Sequence, residues 1–191
     1  MALTLNGSNN TIAGVAVGGL PDGIVDTDML AAGAVTAPKR GTGAILQVVF
    51  ADTNTEVNHN STNWEDIGLS AAITPTATSS KILCLAQVQA RLFIGHSNTD
   101  NAFALQLLRG STAIQTTAGS YQVGYNHIQV FNTTSETSYM VPVNHLDSPS
   151  TTSATTYKIQ GKNRDSEGVN AVHFQDDGKY YSTLTLLEVA G

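Results

Sequence analysis

The chain has 191 residues, of which 41% are hydrophobic and only 13% charged, with a formal net charge of -6. Its few basic residues are scattered, Lys39-Arg40 being the one adjacent pair, so it lacks the concentrated positive patch that nucleic-acid binding needs. No apolar run approaches the roughly 20 residues that span a bilayer, and the single cysteine, Cys84, excludes both an intrachain disulfide and a cysteine-based zinc site.

With so little charge, the polar side chains must come from Ser, Thr, Asn and Gln, which suits strands and turns better than helices. Residues 1–43 read as an arm. Thr11-Ile-Ala-Gly-Val-Ala-Val-Gly-Gly-Leu-Pro21 is apolar but built from small side chains. It has too little bulk to close a core of its own and would expose apolar surface unless another chain covered it. Pro21-Asp-Gly23 is a turn signal. Asp26 or Thr27 caps a short helix expected near residues 27–32, which Gly33 stops. Thr36 to Gly43 then reads as a linker.

From Ala44 onward the apolar positions recur with period two, the pattern of half-buried strands. Leu46, Val48 and Phe50 share one phase. The clearest segment is Lys81–Ile94, where Ile82, Cys84, Ala86, Val88, Ala90 and Leu92 alternate with positions that include Gln87, Gln89 and Arg91. Phe103, Leu105 and Leu107 continue the pattern before a turn at Arg109-Gly-Ser111. Further strands are expected around Ile128/Val130, Tyr139/Val141/Val143, Tyr157/Ile159 and Tyr181–Val189, with Asn-, Ser- and Gly-rich turn clusters between them. About eight strands over residues 44–191 predict a β-sandwich, jelly-roll-like head.

Catalytic signatures are thin. The histidines, His59, His96, His127, His145 and His173, form no H-x-H or H-E-x-x-H spacing. Cys84 lies on the apolar phase of its strand and reads as a buried small hydrophobe rather than a nucleophile. Gly110-Ser and Gly119-Ser lack the second glycine and following helix of a nucleophile elbow. Asp176-Asp177 and Asp165/Glu167 read as solvated turns or a weak cation site. No enzymatic activity, cofactor or metal is expected. Trp64, beside the Asn-rich 58–63 turn, and Tyr121, Tyr125, Tyr180 and Tyr181 offer aromatic faces near amides, a chemistry that suits sugars. The plainer reading makes Trp64 and Tyr181 anchors of strand ends in the core.

Gly18-Gly-Leu-Pro-Asp-Gly-Ile-Val-Asp-Thr-Asp-Met-Leu-Ala-Ala32, followed by Val35-Thr-Ala-Pro-Lys-Arg-Gly41 and Gly43-Ala-Ile-Leu-Gln-Val-Val49, resembles the segment before the globular tip in fibre proteins of marine phages and cyanophages. Leu105 to Ala113, Asp147 to Tyr157 and Thr183 to Gly191 are similar to strands and hairpins of those tips. The resemblance implies an all-β, homotrimeric virion protein of a tailed bacteriophage, made in the host cytoplasm and carried on the particle exterior. Residues 1–43 would attach it to other phage structural proteins. The head, residues 44–191, would contact a host-surface glycan or protein through loop residues such as Trp64, Asn98, Tyr121 and Asp177. Long fibres carry far more shaft than about 40 residues, so a capsid decoration or cement protein is the alternative. Neither reading involves nucleic acid or membrane insertion.

Overall fold

A computed structural model describes residues 4–6, 11–13, 34–35, 39–94, 101–116, 124–126, 135–163 and 170–191. The chain divides into two compact units, Met1–Arg40 and Gly41–Gly191. In the first, β1 (Thr4–Asn6) and β2 (Thr11–Ala13) form an antiparallel pair. The short helix expected near residues 27–32 and the strand around Ile128/Val130 lie outside the described residues.

The second unit is a sandwich of two antiparallel sheets, as the period-two pattern predicts. Its strands are β3 (Ile45–Thr53), β4 (Val57–His59), β5 (Glu65–Ile73), β6 (Lys81–Ile94), β7 (Asn101–Arg109), β8 (Thr112–Thr116), β9 (Gly124–Asn126), β10 (Ser135–Asp147), β11 (Thr155–Asn163), β12 (Asn170–Phe174) and β13 (Ser182–Val189). The predicted turn at 109–111 joins β7 to β8, with Gly110 at φ +60.

The six-stranded sheet is organised on the 14-residue β6. One edge of β6 pairs with β10 along nearly its whole length. On its other edge β13 covers residues 81–87 and β12 covers residues 90–94. Next to these, β3 pairs with β13 and β4 with β12. The partner strands are thus two interrupted lines, β3–β4 and β12–β13. The second interruption is a seven-residue excursion, residues 175–181, that crosses β6 at Gln89. The five-stranded sheet runs β5-β11-β7-β8, with β9 also on β7.

Strand alternation decides the core. The inner phase of β6 (Ile82, Cys84, Ala86, Val88, Ala90, Leu92) meets Ile67, Leu69 and Ile73 of β5, Phe103, Leu105 and Leu107 of β7, Tyr157 and Ile159 of β11, and Leu184 and Leu186 of β13 in one cluster. Phe103 bridges the sheets, with its ring 6.0 Å from Phe174 on one side and 5.8 Å from Tyr139 on the other. Gly161 is required where the Phe174 ring crosses β11, because a Cβ there would run into the ring. Cys84 is fully buried, and burial, with the Asp147 charge adding, pushes its thiol up to about 12.

Two buried carboxylates, in register with Ile82 on either edge of β6, make side-chain joints at one end of the sheet. Asp147 accepts a 2.7 Å hydrogen bond from the Tyr157 hydroxyl and two 3.0 Å bonds from Arg109, tying the sheets together. Burial, then the Asp147 hydrogen bond, drives the Tyr157 hydroxyl upward. Glu188 accepts from the Thr76 N–H and hydroxyl, the Ser80 hydroxyl and the Gln47 amide, at 2.6–2.7 Å, and so pins the 74–80 loop. Burial works to raise this carboxyl, but those hydrogen bonds outweigh it and hold it below the ordinary range.

The phase shared by Val48 and Phe50 turns out to be the outward one. Val48 and Phe50 lie on the outer face, and it is Val49 and Ala51 that pack against the core. The segment Ile45-Leu-Gln-Val-Val-Phe-Ala51 is apolar in both phases, so periodicity alone does not choose between them. Pairing with β13 does, by setting Val49 opposite inward-facing Leu186. Tyr181 is exposed rather than a core anchor.

Candidate functional site: the outer face of the six-stranded sheet

The outer phase of β6 carries Leu83, Leu85, Gln87, Gln89 and Arg91, and the neighbouring strands extend each of these into a row. The first row reads Val48, Leu187, Leu83, Leu146 across four strands. The second reads Phe50, Thr185, Leu85, Asn144. Phe50 is 62% exposed, Val48 58%, Leu146 50% and Leu85 38%, while Leu83 and Leu187 are half-buried. The next row, Asp52, Thr183, Gln87, Pro142, is polar.

Gln89 then breaks the outward pattern, being buried although its phase faces out. The excursion covers it. The Asp176 N–H donates to the Gln89 side-chain oxygen at 2.8 Å, the Gln175 N–H donates to its carbonyl, and the Gln89 N–H donates to the Ser182 hydroxyl at 3.0 Å. The Gln175 amide satisfies its surroundings when its NH2 donates to the Thr55 and Ile67 carbonyls and its oxygen accepts from Ser182. Gln175 and Asp177 take left-handed backbone conformations, φ 54 and φ 58, which turn the chain sharply here.

Beyond Gln89 the face is charged. Arg91 lies between Ser138 and His173 in register. Its guanidinium is 2.8 Å from Glu136 and 2.8 Å from Asp176, the second contact ionic rather than aligned as a hydrogen bond. His173 Nδ1 and Glu56 Oε1 are 2.6 Å apart, and the other Glu56 oxygen accepts from the Asp177 N–H at 3.1 Å. The His173 hydrogen bond, followed by that N–H against an opposing burial effect, holds Glu56 below its ordinary value. Lys179 pairs with Asp177 and holds its carboxyl low.

Donor atoms of Glu56, His173 and Asp176 lie within 4.8 Å of one another. A cation there would compete with the Arg91 guanidinium for Asp176 and with the Glu56 contact for His173. The arrangement is a compensated ion-pair network that holds the excursion on the sheet.

Of the residues expected to contact a receptor, Asp177 sits on this excursion, exposed. Trp64 is elsewhere, half-buried where the chain enters β5, with Lys162 Nζ 4.8 Å over its ring. Its ring is partly exposed, with the lysine over one face, rather than sealed in the core. Asn98 and Tyr121 lie outside the described residues. Trp64 leads into β5 of the five-stranded sheet, whereas Asp177 lies between β12 and β13 of the six-stranded one. Sequence reasoning missed Glu56 and Glu136, and weighed His173 only among histidines without ligand spacing. The signal available was Arg91 on the outer phase of β6, but its partners come from strands whose order one sequence does not reveal.

No family model matches this chain, and no curated protein does. Solved structures of infectious bursal disease virus are similar at low scores. The T13 particle matches at TM-score 0.34 with 14% identity, over 78% of this chain and 37% of that one. The Gx strain matches at 0.33 with 15% identity, over 78% and 39%. The chain thus spans well under half the length of those viral chains, and at such scores the likeness carries no argument about what it does.

Proposed function

We propose that this chain is a structural subunit of a tailed-phage particle, a short trimeric fibre. In this reading residues 1–43 attach it and the β-sandwich head contacts the host surface. The observation that supports an assembled, structural role is the outer half-face of Val48, Phe50, Leu85 and Leu146. Large apolar side chains standing side by side on a sheet face mark a surface made to be covered. The sequence resemblance supplies the class of assembly. Its segments coincide with joints of the fold: Leu105 to Ala113 is the β7–β8 hairpin, and Thr183 to Gly191 contains most of β13. The same apolar half-face also suits the second reading, a capsid decoration clamped onto its neighbours.

Cryo-electron microscopy of intact particles separates the two. The fibre reading predicts density for this chain on the tail, and regularly spaced density on the capsid lattice would replace it with the decoration reading. Absence of the chain from purified particles would sink both. A deletion of residues 1–37 should leave a folded head that no longer enters particles. Trp64→Ala and Asp177→Ala should leave copy number unchanged and weaken adsorption to host cells.

A further inference from the structure

We infer that the apolar half of the outer face, the rows of Val48, Leu187, Leu83, Leu146 and of Phe50, Leu85, is the contact between sister copies of this chain. This rests on the reading that the chain is an assembled subunit and adds the surface that does the assembling.

The first support is continuity. The rows cross β3, β13, β6 and β10 in register, so the patch is a single surface on a rigid sheet rather than scattered side chains. Its two central rows contain no charged residue. The second support is its boundary. The patch is bounded by Asp52, Gln87 and the excursion that buries Gln89; past this line Met140, opposite Gln89, is a further exposed apolar side chain, and beyond it the face carries the Arg91 network. An apolar centre with a polar rim is the anatomy of a specific interface.

The third support is area. Val48, Phe50, Leu85 and Leu146, 38–62% exposed, with half-buried Leu83 and Leu187, offer about 500 Å² of apolar surface, and the exposed Asp52, Gln87, Pro142 and Asn144 around them bring the face to about 800 Å². A sister copy seated on it brings the total to about 1,600 Å², the size of a standard stable interface. In a closed ring each copy's face is covered by the next copy, which leaves none exposed.

Light scattering on the full chain tests this directly. The wild type should scatter as an oligomer, about 60 kDa for three chains of 20.0 kDa. Val48→Lys and Leu146→Ser should each lower that to a single chain with an unchanged circular dichroism spectrum, and Val48→Ile should stay assembled. Both positions are at least half exposed, so neither change opens the core. A wild type that is one chain at micromolar concentration overturns the inference and leaves a different protein as the occupant. Folded Val48→Lys and Leu146→Ser variants that remain oligomeric overturn it by placing the contact elsewhere. Particle incorporation is scored separately, so an oligomer that depends on this face but never enters particles would keep this inference and remove the phage-structural reading.

Discussion

The two halves of one sheet face follow different physics. Along β6, Leu83 and Leu85 face outward with nothing but apolar neighbours and two hydroxyl or amide side chains, while Arg91, six residues on from Leu85, sits among Glu136, His173 and Asp176. The apolar half contributes little to the fold, because its side chains are already wet. The charged half holds the excursion in place through partly buried ion pairs, whose loss leaves charges without partners. A sheet can therefore keep one end of a face for its own folding and leave the other for association.

The largest expected effect comes from breaking the charged half. Arg91→Ala removes the cation beside the nearly buried Asp176 and should cost about 2–3 kcal/mol in urea unfolding, below the figure for a fully buried pair because Arg91 is 23% exposed. Loss of less than about 0.5 kcal/mol, the range of an ordinary surface change, would mean that the network does not hold the excursion.

Acid should act next. His59 lies on the inner phase of β4 beneath the charged half, and burial, opposed by the Glu65 charge, holds it below its ordinary value of 6.5. As pH falls below that value the unfolded chain takes up the proton first, so stability is lost from there downward. Glu56 and Glu188 are held below 4.5, so their contributions are present above that pH and lost as it falls further. The melting temperature should thus drop in two stages, and His59→Phe should shrink the first and spare the second. A melting temperature that is flat between pH 7 and pH 5 in the wild type would contradict the role given to His59.

The smallest effect on folding should come from the apolar half. Phe50→Ser should change urea stability by no more than about 0.5 kcal/mol when compared as separated chains, since Phe50 is 62% exposed. A cost near that of Arg91→Ala would show Phe50 packed within its own chain and erase the contrast.

Much of this was legible in the sequence. The period-two runs at Lys81–Ile94, Phe103–Leu107 and Tyr157–Ile159 became strands with the expected residues inside, including Cys84. Where a segment was apolar in both phases, as at Ile45–Ala51, the pattern did not say which phase faces inward, and Val48 and Phe50 became the most exposed part of the patch. The charged network was illegible for another reason. Glu56, Arg91, Glu136 and the nearby pair His173 and Asp176 come from four separate stretches of sequence and meet only because β10 and β12 flank the same half of β6, and strand order is a property of closure rather than of local pattern.

The contrast between the halves is tested most directly by hydroxyl-radical footprinting of the assembled wild type against the Val48→Lys variant. Phe50, Leu85 and Leu146 should be protected in the assembled protein and react in the variant, while Tyr180, Tyr181 and His173 react equally in both. Equal reaction of Phe50 and Leu146 in the two forms would contradict the account, because it would mean that the apolar half stays open to water when the chains assemble.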